Sequence, residues 1–129
     1  MKKVYLSIKF HEDYKNKELI EKLYNSLSEA EFEVLSMVKD IEKYGKLNLV
    51  ELMKKTFEQI NKSDLMVVEF SEKGVGLGIE AGYAHAKGIP IVVIAREGCE
   101  ISDTLKGITK EIIVYNSPEE VGNLLIEKI

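Results

Sequence analysis

Cysteine is nearly absent. Cys99 stands alone among 129 residues, so no internal disulfide can form and no pair of thiolates is on offer to a metal. The two histidines, His11 and His85, lie too far apart to give zinc-binding spacing. Tryptophan is missing, proline occurs twice, and no apolar run approaches the length of a bilayer span. The opening "MKKVYLSIKF" begins with two lysines after Met1 but has no signal-like apolar region or small-residue cleavage site. Excess positive charge is lacking too: the formal net charge of −4 argues against a general nucleic-acid surface. These absences predict a cytoplasmic protein that uses no metal and no organic cofactor and meets neither a membrane nor a nucleic-acid polymer. What is present, 45% hydrophobic and 31% charged residues, is the composition of an ordinary globular chain. The length predicts one domain over residues 1–129.

Apolar runs alternate with amphipathic stretches from end to end. Val4 to Ile8, Phe32 to Val38, Leu65 to Phe70, the "IVVIA" after Pro90, and Glu111 to Tyr115 read as five strands. Helical spacing fills the gaps, from about Tyr14 to Leu27, from Leu47 to Ile60 and from about Gly78 to Lys87. Gly88 is placed to end the third of these as a C-cap. Ser117-Pro118-Glu119-Glu120 sets an N-cap, an N1 proline and an acidic first turn for a last helix. Strand–helix alternation with short links predicts an α/β fold, a five-stranded parallel sheet covered by helices on both faces. The flavodoxin-like order 2-1-3-4-5 is favoured. In that order the crevice lies beyond the carboxyl ends of strands one and three, where the winding reverses. Those ends are Ser7-Ile8-Lys9 and the segment from Phe70 to Gly78.

Gly74, Gly76 and Gly78 therefore fall beside the crevice, just before an expected helix whose first turn would hold Glu80. Glycine there lets a backbone come close to a ligand, and exposed helix-start N–H groups attract anions. A tight turn that needs glycine for its own dihedrals explains the cluster equally well. Gly76 to Ala81 also fits the dinucleotide pattern G-x-G-x-x-[GA], with Glu97 as a ribose-binding acid. That match follows the third strand rather than the first, and the chain has no room for a second nucleotide-binding half. Glu80 is by the same reasoning either a favourable charge at a helix start or a reagent. A carboxylate kept ionised by nearby N–H groups on a crevice floor can attack an electrophilic carbon, as in retaining glycosidases.

The stretch "SDLMVVEFSEKGVGLGIEAGYAHAKGIPIVVI" resembles the central segment of the nucleoside 2-deoxyribosyltransferase family, and most of all its 2'-deoxynucleoside 5'-phosphate N-hydrolase branch. Asp64, Glu69, Gly76, Gly78, Glu80, Gly82, Ala84, Gly88 and Pro90 fall on the family pattern without a gap. The resemblance implies cleavage of the N-glycosidic bond of a nucleoside or nucleoside 5'-monophosphate, with Glu80 as nucleophile. It places Tyr5 near the sugar as a second catalytic residue, and assigns Ser7, Ile8, Lys9, Gly74, Gly76 and Gly78 to substrate binding. "SDTLKG" resembles the hydrolase segment whose serine contacts the 5'-phosphate of a neighbouring subunit, which implies a homodimer with Ser102 in that role. The chain departs from the family at Thr56, where the family carries a helix-borne catalytic aspartate. That departure keeps open an alternative, a nucleotide-binding or sensor protein with weakened catalysis.

Overall fold

The computed structural model describes residues 1–38 and 47–129. In chain order these residues form β1 (Lys3–Ile8), α1 (Lys17–Glu29), β2 (Glu33–Leu35), α2 (Leu49–Asn61), β3 (Leu65–Glu69), α3 (Val75–Ala86), β4 (Ile91–Arg96), α4 (Asp103–Lys106) and β5 (Glu111–Tyr115). A 3-10 turn, Pro118–Glu120, then leads into α5 (Val121–Lys128). All strand pairs are parallel and the order is β2-β1-β3-β4-β5, as the alternation predicted.

Period-two side-chain alternation divides the sheet into two apolar layers. Val4, Leu6, Ile8, Val67, Ile94 and Tyr115 face α1 and α5. Tyr5, Met66, Val68 and Val93 face the other way, against Ile60 of α2 and Leu77, Ala81 and Ala84 of α3. Every residue of β3 is buried, which is why it is apolar from Leu65 to Val68, with the enclosed Glu69 at its end. At that depth each Val, Leu or Ile side chain contributes about 1.5–3 kcal/mol.

Local signals hold at several joints. Gly88 takes a φ of +74° directly after α3, the left-handed position at which glycine ends a helix without strain. Ahead of α5, Glu120 turns back to accept from the backbone amides of Asn116 and Ser117 at 2.7 and 3.3 Å. Between α1 and α5 the backbones touch: the Gly122 N–H donates to Ser26 Oγ at 2.8 Å, and Ser26 Oγ donates to the Glu119 carbonyl at 2.9 Å.

Two differences from the sequence-based expectation bear on the core and the site. β2 covers Glu33–Leu35 rather than the whole apolar run from Phe32 to Val38, because this edge strand has a ladder partner only opposite Lys3–Tyr5. Phe32 and Met37 are buried all the same, as core residues outside the strand. The third helix begins at Val75, not Gly78, so Glu80 lies in its second turn. Gly74, extended at φ −164° and ψ 142°, is the N-cap, and burial of Leu77 and Ala81 fixes the helix that follows. That packing outweighs the roughly 1 kcal/mol by which each interior glycine disfavours a helix.

A carboxylate held by two hydroxyls at the switch point

Residues Tyr5 and Ser7 are two apart on β1, so both side chains leave the sheet on the α3 side. They meet Glu80. The Tyr5 hydroxyl donates a short hydrogen bond to Glu80 Oε1, and Ser7 Oγ donates to Oε2 at 3.1 Å. Tyr5 and Ser7 are each 1% exposed, whereas Glu80 is half-buried and reaches the edge of a cleft.

Burial lifts the Glu80 carboxyl above its ordinary 4.5, and the hydrogen bonds from Tyr5 and Ser7 oppose that rise without cancelling it. The Tyr5 hydroxyl is held well above its usual range, first by burial and then by the Glu80 charge and hydrogen bond. Tyr5 is thus a fixed proton donor to Glu80 and not a phenolate nucleophile. The expectation of a carboxylate kept ionised by helix-start amides is corrected: two side-chain hydroxyls give that support, since Glu80 is a turn further into α3.

A raised folded pKa has a consequence for stability. The folded chain holds the Glu80 proton more tightly than the unfolded chain, so the stabilisation is complete below 4.5 and is lost as pH rises through the folded value. Glu80→Gln does not titrate. Its melting temperature is expected to gain on that of the unsubstituted protein as pH climbs from 4.5 through the raised pKa, and paired thermal denaturation across pH checks this. A gap constant with pH would contradict the shift.

The cleft has a volume of about 370 Å3 and lies beyond the carboxyl ends of β1 and β3. Ile8, Lys9, Gly74, Gly76 and Thr56 line it together with Glu80. Its remaining walls are apolar, with Phe10, Met37, Leu52 and Met53 among them. Met37 and Met53 stand in that wall although helical and strand periodicity alone does not distinguish a core wall from a cleft wall. Thr56 is 4% exposed and donates its hydroxyl proton to the Leu52 carbonyl at 2.9 Å. Gly78 and Ser102 are not brought to this cleft. They line an adjoining pocket of about 680 Å3, where Ser102 Oγ lies 3.0 Å from Thr104 Oγ1. A Cβ at Gly76 or Gly78 would meet nothing within 4 Å, so these glycines leave open space beside α3 rather than form a tight turn. Their place inside a helix also removes the strand-to-helix turn that a dinucleotide fingerprint needs.

On the opposite face of the sheet a second carboxylate is fully enclosed. Glu69, 2% exposed, accepts from the Ser71 amide at 2.6 Å and the Ser71 hydroxyl at 2.9 Å, and from the Tyr115 hydroxyl. Ser71 Oγ also accepts from the Arg96 amide at 3.0 Å. This network ties the ends of β3, β4 and β5 to the first residue of the loop that leads to Gly74. Among the described residues no three His, Cys, Asp or Glu side chains group as a metal would require, and no helix is long and apolar enough to cross a membrane.

No family model matches the chain. A protein of Thermofilum pendens, provisionally named 2'-deoxynucleoside 5'-phosphate N-hydrolase 1, is 29% identical over 137 aligned positions, which cover 98% of this chain and 92% of the relative. Among solved structures, a CMP N-glycosidase of Clostridium botulinum superposes with a TM-score of 0.72 at 22% identity, covering 99% of this chain and 100% of that one. A 2-deoxyribosyltransferase of Bacillus psychrosaccharolyticus gives 0.75 at 17% identity, covering 94% and 90%. At such identities the superpositions speak for the fold, and a Thermotoga maritima response regulator also superposes, at 0.65 and 18%. The sequence resemblance to the nucleoside 2-deoxyribosyltransferase family, N-hydrolase branch, therefore extends along nearly the whole chain and coincides with a shared fold.

Proposed function

We propose that this chain is an enzyme that cleaves the N-glycosidic bond of a nucleoside or, preferentially, a nucleoside 5'-monophosphate through Glu80. The carrying observation is the placement of Glu80: a half-buried carboxylate, donated to by Tyr5 and Ser7, at the edge of a cleft at the switch point. A Glu80 oxygen attacks C1' of the sugar, and the C1'–N bond breaks with its electron pair leaving on the base, which takes up a proton. Water then attacks C1', releasing the sugar or sugar phosphate and returning the carboxylate; an incoming base in place of water completes a transfer. Tyr5 and Ser7 hold the carboxylate towards C1' and favour its ionised form.

Ile8 and the apolar wall receive the base and sugar. Lys9 and the free amides of the first turn of α3, from Val75 to Leu77, receive the phosphate, with Gly74 and Gly76 allowing it to come close. Gly78 keeps the neighbouring wall of the helix open. Ser102 lies outside the cleft of its own chain, which suits delivery to the cleft of a second copy in a homodimer. Residues 1–129 act as one cytoplasmic domain, with no metal or organic cofactor in the reaction.

Free-base release from a panel of nucleosides and 5'-monophosphates, ribo and deoxy, tests this. Release is expected from monophosphates ahead of nucleosides, together with a quenchable sugar-phosphate adduct on Glu80 in the intact-protein mass. A second reading is favoured by Thr56, which spends its hydroxyl on its own helix and carries no carboxylate: a nucleotide-binding protein with weakened catalysis. No release from any substrate, with monophosphates still raising the melting temperature, would select that reading.

A further inference from the structure

Charged side chains from two loops meet beside the Glu80 cleft. Lys9, directly after β1, lines the cleft, and its Nζ lies 3.9 Å from Glu72 Oε2 in the loop between β3 and α3. The same Glu72 oxygen lies 2.9 Å from His11 Nε2, a shielded atom that has no other partner among the described residues. The Asn16 side chain donates to the Lys9 carbonyl at 2.9 Å and holds the Lys9 backbone in place. Lys9 is the one cation among the described residues that line the cleft, and it shares its charge with a carboxylate. A carboxylate there opposes the arrival of a phosphate, unless something draws it aside.

We infer that Glu72 is a specificity-determining gate with two seats, Lys9 and His11. This inference rests on the reading of the cleft as a nucleoside or nucleotide site. A ligand carrying a 5'-phosphate takes Lys9, and Glu72 stays with His11, the closer of its two partners. A ligand without the phosphate leaves the Lys9–Glu72 pair in place and gains nothing at this end of the cleft. His11 therefore acts through Glu72 as a positioning residue. The two substitutions should have opposite signs, which a plain staple between loops would not produce.

Calorimetric titration with the four 2'-deoxynucleoside 5'-monophosphates and the matching nucleosides tests the gate. Glu72→Gln is expected to tighten monophosphate binding about fivefold, the upper end for an exposed ion pair, and to widen the preference over nucleosides. His11→Ala is expected to weaken it, because Glu72 then settles on Lys9. Glu12→Gln removes the same charge from the neighbouring loop and is expected to do less than Glu72→Gln. Weaker binding in both Glu72→Gln and His11→Ala marks a structural staple and overturns the gate, as does an equal gain in Glu12→Gln. Base release is measured on the same samples: the predicted binding pattern without release leaves the gate standing and sinks the catalytic reading. Normal release with reversed signs does the opposite, and no binding of any ligand removes both.

Discussion

Glu80→Gln is expected to slow free-base release by about a thousandfold or more, a loss of about 4 kcal/mol of transition-state stabilisation. Glutamine has nearly the same shape and can still accept from one of the Tyr5 and Ser7 hydroxyls. Its amide nitrogen then faces the other hydroxyl, and no anionic oxygen is left to attack C1'. Monophosphate affinity, which on the proposed reading draws on Lys9 and the first-turn amides of α3, should stay within a few-fold. Turnover within tenfold of the unsubstituted protein would end the nucleophile assignment. The same substitution removes a carboxyl that burial disfavours as an anion, so the slowed variant should also be the more stable one at neutral pH. A rise in melting temperature together with lost turnover is a combined signature that a disrupted fold cannot mimic.

Gly122→Ala should be among the most damaging single-methyl additions. A Cβ there would lie 2.2 Å from the Ser26 carbonyl oxygen and 2.9 Å from Ala30 Cβ. One obstacle lies in α1 and the other is its C-cap residue, and the buried Leu23 and Leu27 of α1 are set in the core, so the helix cannot step back without opening that layer. Moving α5 away instead would break the Gly122 N–H bond to Ser26 Oγ. Overpacking on this scale is expected to cost about 3 kcal/mol, and a chain of this size should lose on the order of 10 °C in melting temperature. Gly82→Ala is the contrast, because its Cβ would meet nothing within 4 Å; an exposed helical glycine exchanged for alanine should gain about 0.5–1 kcal/mol. Urea titrations of the two variants, read as midpoints at unchanged slope, check both signs. Equal stability of the two would refute the close helix contact.

Gly122 and Gly82 look alike in the sequence, and the difference between them lies wholly in what packs opposite. The same division runs through the molecule. Strand identity, sheet order and the crevice at the ends of β1 and β3 were legible because buried parallel strands write themselves as unbroken apolar runs, such as Leu65–Val68. Gly88 and Ser117-Pro118 were legible because a left-handed φ and an N1 position have few tenants. The start of α3 was not: the glycines from Gly74 to Gly78 look like a loop by propensity, and the packing of Leu77 that overrides propensity is a tertiary fact. Nor could spacing show that Ser7 turns its hydroxyl to Glu80, 73 residues away, or that Glu72 lies between Lys9 and His11. Those are meetings of loops and strands, and a linear text does not record them.

The Tyr5–Glu80 pair spans 75 residues and crosses the β1–β3 ladder, which joins Val4 to Leu65. A chain still emerging from the ribosome therefore carries its hydroxyl donors long before the carboxylate they serve, and the pair cannot close until α3 has been released and docked. With Glu80 as the proposed nucleophile, every truncated product that stops short of it is expected to be chemically silent. Within a population of synthesised chains, turnover by that route would count only those in which the central ladder has formed, and would report completed folding without any added label.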